Sequence, residues 1–198
     1  LGPAHPLRIH VTGAAGAGST TLGRALAARL GLTHHDTDDY HWLPTPVPFA
    51  AARPVPERVR LMEEAFLTQP GWVLSGSVAE WGEALSDRFD AIVFLRAPRD
   101  LRLERLRLRE TQRHGVEALV DGGPHFLAME AFLAAAARYD EAGGKGRNLW
   151  THRAWLARQA CPVIESDGAR PVEAQLSAVL GALGIATAPL LDAARAPA

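Results

Sequence analysis

The chain has a single cysteine, Cys161, among 198 residues, so no internal disulfide can form, which suits a reducing cytoplasm. No apolar run approaches the roughly 20 residues of a membrane-spanning helix, so no span is expected. Neither charge dominates: 21 basic and 22 acidic residues leave no global field drawing the chain to nucleic acid or to a membrane surface. Lysine is nearly missing, since Lys145 alone stands among 20 arginines. With so much alanine, this points to a GC-rich coding bias before it points to chemistry. Residues 1–6 show no secretion signal and are expected to be a cloning remnant or disordered. What remains is a hydrophobic fraction of 47%, that of a globular protein with a core. One domain over residues 7–185 is expected, followed by a flexible Ala/Pro-rich tail over 186–198.

Strand and helix signals alternate along that domain. Leu7, Ile9 and Val11 alternate in a short strand, and a glycine-rich turn over 13–18 leads into a helix carrying Leu22, Leu26 and Leu30. Gly31 is placed to end that helix. A second extended segment runs from Leu32 into Asp36. Five prolines mark 43–56 as a loop, leading into a helix near 56–67. Trp72-Val73-Leu74 and Ala91-Ile92-Val93-Phe94-Leu95 are continuous apolar runs, as in strands covered on both faces. Pro162-Val163-Ile164-Glu165 reads as the last strand and 172–183 as the last helix. The class is α/β, a three-layer αβα fold with a central parallel sheet of about five strands.

The chemistry begins at Gly13-Ala14-Ala15-Gly16-Ala17-Gly18-Ser19-Thr20-Thr21, between the first strand and first helix. Small residues let successive amides turn inward around a phosphate, and the helix N-terminus adds its positive end. The spacing is that of the phosphate-binding loop, with the Thr20 hydroxyl at the magnesium position and Ser19 where the motif has lysine. Two alternatives stay open. A dinucleotide turn is a near miss, with Asp36 at a ribose-binding distance, but the spacing is not G-x-G-x-x-G and no Tyr-x-x-x-Lys pair exists. An empty tight turn would not need three glycines and a hydroxyl triplet.

Asp36-Thr37-Asp38-Asp39-Tyr40 follows the second strand, where carboxylates at strand ends meet the ligand crevice. With this segment the chain resembles the P-loop kinases of the adenylate kinase and shikimate/gluconate kinase group, over roughly residues 7–183. The resemblance implies the P-loop NTPase fold with a helical lid insertion at about 110–150, ATP or another nucleoside triphosphate as donor, and Mg²⁺ held by Thr20 and, through water, Asp36. It implies that Asp38 binds the acceptor hydroxyl. Helix capping is the competing reading of these acids, although one cap needs only one Asp. His34, His35 and His41 flank the cluster without the thiols or paired spacing of a zinc site.

Arg102, Arg105, Arg109 and Arg113 fall on one helical face, with Glu104 and Glu110 placed elsewhere on the wheel. Like charges four apart cost a few tenths of a kcal/mol each, roughly 0.2–0.5, which an anion between them would reverse. The resemblance makes Arg105 and Arg109 lid arginines that clamp phosphates. A solvated arginine-rich face is the alternative. Arg24 and Lys145 are further stand-ins for the missing lysine. Ser75, Gly76 and Ser77 end the third strand where such kinases often carry Asp-Gly; with Tyr40, Trp42 and Trp81 they would line a pocket for a ring or polyol acceptor. Between the last strand and helix, the resemblance implies that the loop carrying Arg170 runs beside the adenine base. A phosphotransferase acting on a small-molecule hydroxyl or a nucleotide is expected. A weakly catalytic nucleotide-binding protein or a small ATPase is the second reading, and a dinucleotide-binding protein the third.

Overall fold

The computed structural model describes residues 6–45, 51–141 and 146–185. Lys145, most of residues 1–6 and the 186–198 tail lie outside them. Five strands form one all-parallel sheet: β1 (Arg8–Gly13), β2 (Thr33–Asp36), β3 (Trp72–Ser75), β4 (Ala91–Arg96) and β5 (Val163–Asp167), in the order β2-β3-β1-β4-β5. The dinucleotide folds place strand two directly beside strand one. Here β3 intervenes, so that alternative loses its topology.

Alternation along the strands divides the core between the two sheet faces. Ile9, Val11, Val73, Val93 and Leu95 pack under α1 (Ser19–Leu30) and α7 (Val172–Ala182) through Leu22, Leu26, Val179 and Leu180. Trp72, Leu74, Ile92 and Phe94 face the other way, against α3 (Val55–Met62), the wide turn Glu63–Leu67 that prolongs it, and α6 (Leu149–Leu156), through Met62, Phe66, Trp155 and Leu156. Each fully buried side chain of this size stabilises the fold by about 1.5–3 kcal/mol before entropy is counted. Gly31 closes α1 in the left-handed conformation, φ 67°, as its position predicts.

Two short helices add to the expected elements, and the first bears out the capping reading of the acids. The short α2 (Thr37–His41) is capped by Asp36, whose carboxylate accepts from the Asp38 amide at 3.1 Å. The other is α6, which starts on a reciprocal capping box between Asn148 and Thr151. The helices α4 (Arg99–His114) and α5 (Phe126–Ala137) pack through Leu106, Met129, Leu133 and Ala136 in a separate small core.

Candidate active site

The connection from β1 to α1 is held tightly by its neighbours. Gly16 and Gly18 have φ of 79° and 104°, which side chains disfavour. A Cβ on Gly16 would lie 2.5 Å from the Arg102 carbonyl, and one on Gly13 would lie 2.6 Å from that of Leu95. Ala14 and Ala17 are buried, while Ala15, Ser19 and Thr20 are partly exposed and Thr21 is exposed. Gly18 caps α1 without a side-chain bond, so the amides of its first turn face the loop. The loop is backbone-lined, as its composition predicts.

Sequence-predicted residues converge here. The Thr20 hydroxyl donates to Asp36 Oδ2 at 2.8 Å. Asp36 therefore caps α2 with one oxygen and meets Thr20 with the other, so capping and site chemistry are not exclusive. Trp42 Nε1 donates to Asp38 Oδ1 at 3.3 Å. Asp38 is exposed to solvent with protein packed around its carboxyl. Desolvation there raises its pKa above the ordinary range and the Asp36 charge adds to this, while the Trp42 bond and the charges of Arg147 and Arg109 oppose it.

The arginine face separates into three roles. Arg102 is 1% exposed and structural, donating to the carbonyls of Ala97 and Ala136 at 3.2 Å and to the Asp140 carboxylate. Arg105 Nη1 donates to the Gly168 carbonyl at 2.8 Å and approaches that of Ala17 at 3.5 Å, at the rim of the loop. Arg109 and Arg113 pair with Glu110 at 2.9 and 3.3 Å. Glu110 thus relieves the repulsion, which its position on the helical wheel suggested it would relieve only poorly.

The expected acceptor pocket is only partly formed. Ser75 is fully buried: its hydroxyl donates to the Ser19 carbonyl at 3.1 Å and meets His34 Nε2 at 2.9 Å, so it ties β3 to α1 and lines no pocket. Tyr40 turns to His35 Nδ1 at 3.1 Å and packs on Phe66, away from the carboxylates. Gly76, at φ 115°, lets β3 approach Thr37, whose Oγ1 a Cβ would meet at 1.8 Å. Trp81 lies under the Arg58 guanidinium, 5.0 Å from its ring centre. Arg170 lines a small hollow with Gln175 and Val179, whereas it is Gly168 that touches the glycine loop.

Ser77 has a partner the sequence did not suggest. Its hydroxyl lies 2.7 Å from His152 Nε2, and His152 Nδ1 lies 2.6 Å from the Tyr139 hydroxyl. Burial pushes His152 down to about 3 and Tyr139 up to about 12, so both are neutral. Another unforeseen residue is Arg147, beside the cap of α6, whose Nη2 donates to the Gly13 carbonyl. The Asn148-x-x-Thr151 spacing was the available signal for that helix start. A further cleft of about 490 Å³ opens at the ends of β4 and β5, lined by Arg96, Arg99, Tyr139, Asp140 and Glu165.

No protein-family model matches the chain. The uncharacterized protein YqaC of Bacillus subtilis (strain 168) is 44% identical over 172 residues, covering 87% of this chain and 94% of that protein. Among solved structures, shikimate kinase from Acinetobacter baumannii in complex with shikimate aligns with a TM-score of 0.53 at 19% identity, over 90% of this chain and 94% of that one. A gluconokinase from Sinorhizobium meliloti 1021 aligns with a TM-score of 0.50 at 16% identity, over 91% and 93%. At these identities the likeness to the two kinases is one of fold.

Proposed function

This chain belongs to the family of Bacillus subtilis YqaC, and on that premise we propose that it is an ATP-dependent phosphotransferase acting on a small-molecule hydroxyl or a nucleotide acceptor. One observation carries the reading: the hydroxyl at the magnesium position of the loop, Thr20, meets the carboxylate after β2, Asp36, at 2.8 Å. Both are hard oxygen donors, and Mg²⁺ takes one or two such protein groups while phosphates and water complete its shell. Among the described residues no cluster of three or more His, Cys, Asp or Glu competes as a metal centre. Bound there, Mg²⁺ would offset charge on the terminal phosphates.

The chain's own residues would do the rest. Amides of the 13–20 loop would cradle the phosphates and Arg105 at its rim would clamp them, with Arg109 approaching from the lid side. The acceptor oxygen would attack the γ-phosphorus, and the bond to the bridging oxygen would break, its electron pair leaving with the nucleoside diphosphate. Asp38 would take the acceptor proton, and its raised carboxyl favours holding one. Trp42, bonded to Asp38, and Ser77 would border the acceptor.

A specific observation keeps a second reading in play. Ser19 replaces the lysine, and Ser75 ends β3 buried, with no carboxylate to help hold metal. Both favour a nucleotide-binding protein of low turnover, or a small ATPase. Calorimetric titration of ATP and GTP with and without Mg²⁺, followed by product analysis across hydroxyl and nucleotide acceptors, tests both. A phosphorylated acceptor supports the transferase, whereas phosphate release with every acceptor unchanged supports the ATPase. A chain that binds neither triphosphate overturns both.

A further inference from the structure

A phosphate in the loop would meet amides but no lysine, because Ser19 holds the place of the lysine that would neutralise the β- and γ-phosphates. A phosphoryl-transfer site without a cation there is electrostatically incomplete, so the arginines around the loop need to be compared. Arg24 is exposed on α1, and its charge acts on His34, toward the β2 edge. Arg105 bonds the far rim, at Ala17 and Gly168. Arg109 is paired with Glu110, and its guanidinium lies over Phe132 at 5.9 Å.

Arg147 differs. Its Nη2 donates to the carbonyl of Gly13, the residue that opens the loop. It also shares an electrostatic neighbourhood with Asp36 and Asp38, the two acids of the site. The segment that carries it is fixed. Asn148 Oδ1 accepts from the Thr151 amide at 2.9 Å, Thr151 Oγ1 accepts from the Asn148 amide at 3.1 Å, and Asn148 Nδ2 donates to the Gly146 carbonyl at 2.9 Å. Behind this cap α6 is anchored by buried His152, Trp155 and Leu156. Arg147 keeps solvent-exposed surface, while the protein packed around its guanidinium lowers its pKa and the charges of Tyr139, Asp38, Glu80 and Asp36 raise it. A guanidinium presents several N–H donors in a fixed fork, and the Gly13 bond uses only part of that capacity.

We infer that Arg147 supplies in cis, from the start of α6, the positive charge that Ser19 withholds from the loop, and that it contacts the terminal phosphates of a bound nucleoside triphosphate. The inference rests on the nucleotide reading above and goes beyond it by assigning the missing cation. It explains how the lysine can be absent without emptying the loop of function. Length favours the arrangement, since the serine side chain is too short to compete for the space.

The test is a charge transplant in the full chain. Binding of MgATP and MgADP is measured by calorimetry for the parent, Arg147→Gln, Ser19→Lys and the double variant, with thermal unfolding of each as a control. Glutamine keeps an amide donor for the Gly13 carbonyl but removes the charge. Expected are a tenfold or greater loss of MgATP affinity in Arg147→Gln, a smaller loss for MgADP, and recovery to within about threefold of the parent in the double variant. Ser19→Lys alone should gain little, because the cation is already present. Arg147→Gln binding MgATP within twofold of the parent overturns the inference, and so does a loss that lysine at position 19 leaves unrepaired. If Arg147→Gln does not fold, Arg147→Met replaces it, and MgATP binding within twofold of the parent, or a loss that Ser19→Lys leaves unrepaired, counts against. A parent that binds no triphosphate defeats the nucleotide reading itself, a different result from any of these.

Discussion

The hydroxyl of Thr20 meets Asp36 Oδ2 at 2.8 Å, joining the first turn of α1 to the end of β2. Because β3 lies between β1 and β2 in the sheet, this bond crosses over the end of an intervening strand. The contact is possible because β3 ends in Ser75-Gly76, where no bulky side chain fills the gap: Ser75 points inward and Gly76 lies against Thr37.

Asp36→Asn separates the two duties of that carboxylate. Asparagine caps helices about as well as aspartate, so stability should change by less than about 0.5 kcal/mol in urea unfolding. The charge facing Thr20 is lost, so the dependence of ATP binding on Mg²⁺ should weaken on the order of tenfold. Equal Mg²⁺ dependence in parent and variant would count against a metal at this pair.

The arginines of α4 should differ sharply in what they contribute. Arg102→Ala strips a buried guanidinium from two carbonyls and from Asp140, and should cost about 3 kcal/mol or more. Arg113→Ala touches an exposed pair with Glu110 and should cost under about 1 kcal/mol. Arg105→Ala should leave stability near the parent's and weaken triphosphate binding. Chemical denaturation and calorimetry on the three variants check this ranking.

That ranking shows where sequence reasoning stopped. The helical wheel placed Arg102, Arg105, Arg109 and Arg113 on one face, but it carries no information on which of them α5 would cover. Arg102 is buried by Ala136 and Asp140, some 34 and 38 positions away. The strands were readable because β3 and β4 are continuous apolar runs and β1 alternates Ile9 and Val11 with polar residues, and the glycine loop because its constraints are local. Asp36 was readable from its place after β2. Ser75 was misread because its partner, the Ser19 carbonyl, becomes a neighbour only once α1 packs on β3. Arg147 was overlooked beside Lys145 because nothing local distinguishes an arginine before a cap from a solvated one.

Gly23 and Ser75 should be coupled. A Cβ on Gly23 would lie 2.0 Å from Ser75 Oγ, with His34 the next neighbour at 3.1 Å. Gly23→Ala alone should therefore destabilise by about 1–3 kcal/mol through overpacking, despite the better helix propensity of alanine. In a Ser75→Ala background the obstructing oxygen is gone, and the penalty should shrink by more than about 0.5 kcal/mol. A double-mutant cycle by urea unfolding measures the coupling, and strict additivity would mean that α1 has shifted away from β3.

The buried histidines should make the fold sensitive to mild acid. His10 is fully buried, with Nδ1 at 3.0 Å from the Leu74 carbonyl and its ring stacked on Phe89 at 5.0 Å, and burial pushes it down to about 4. His152 is held near 3 by burial, with the Arg147 charge adding to it. Both sit below the unfolded value of about 6.5, so below that pH the unfolded chain binds protons that the fold excludes. The stability these two provide is complete above about pH 6.5 and falls as the pH drops toward 4, at up to ~1.4 kcal/mol per pH unit for each ring. Carboxylates and the partly exposed His41 add their own slopes, but these cancel when a variant is compared with its parent. His10→Phe keeps an aromatic ring against Phe89 and removes one titrating group. Urea unfolding of both chains from pH 7 to 4.5 should give a shallower decline for the variant, by about one proton. Parallel declines would mean that His10 takes up its proton inside the fold, and that the ring facing Leu74 is not as dry as its burial implies.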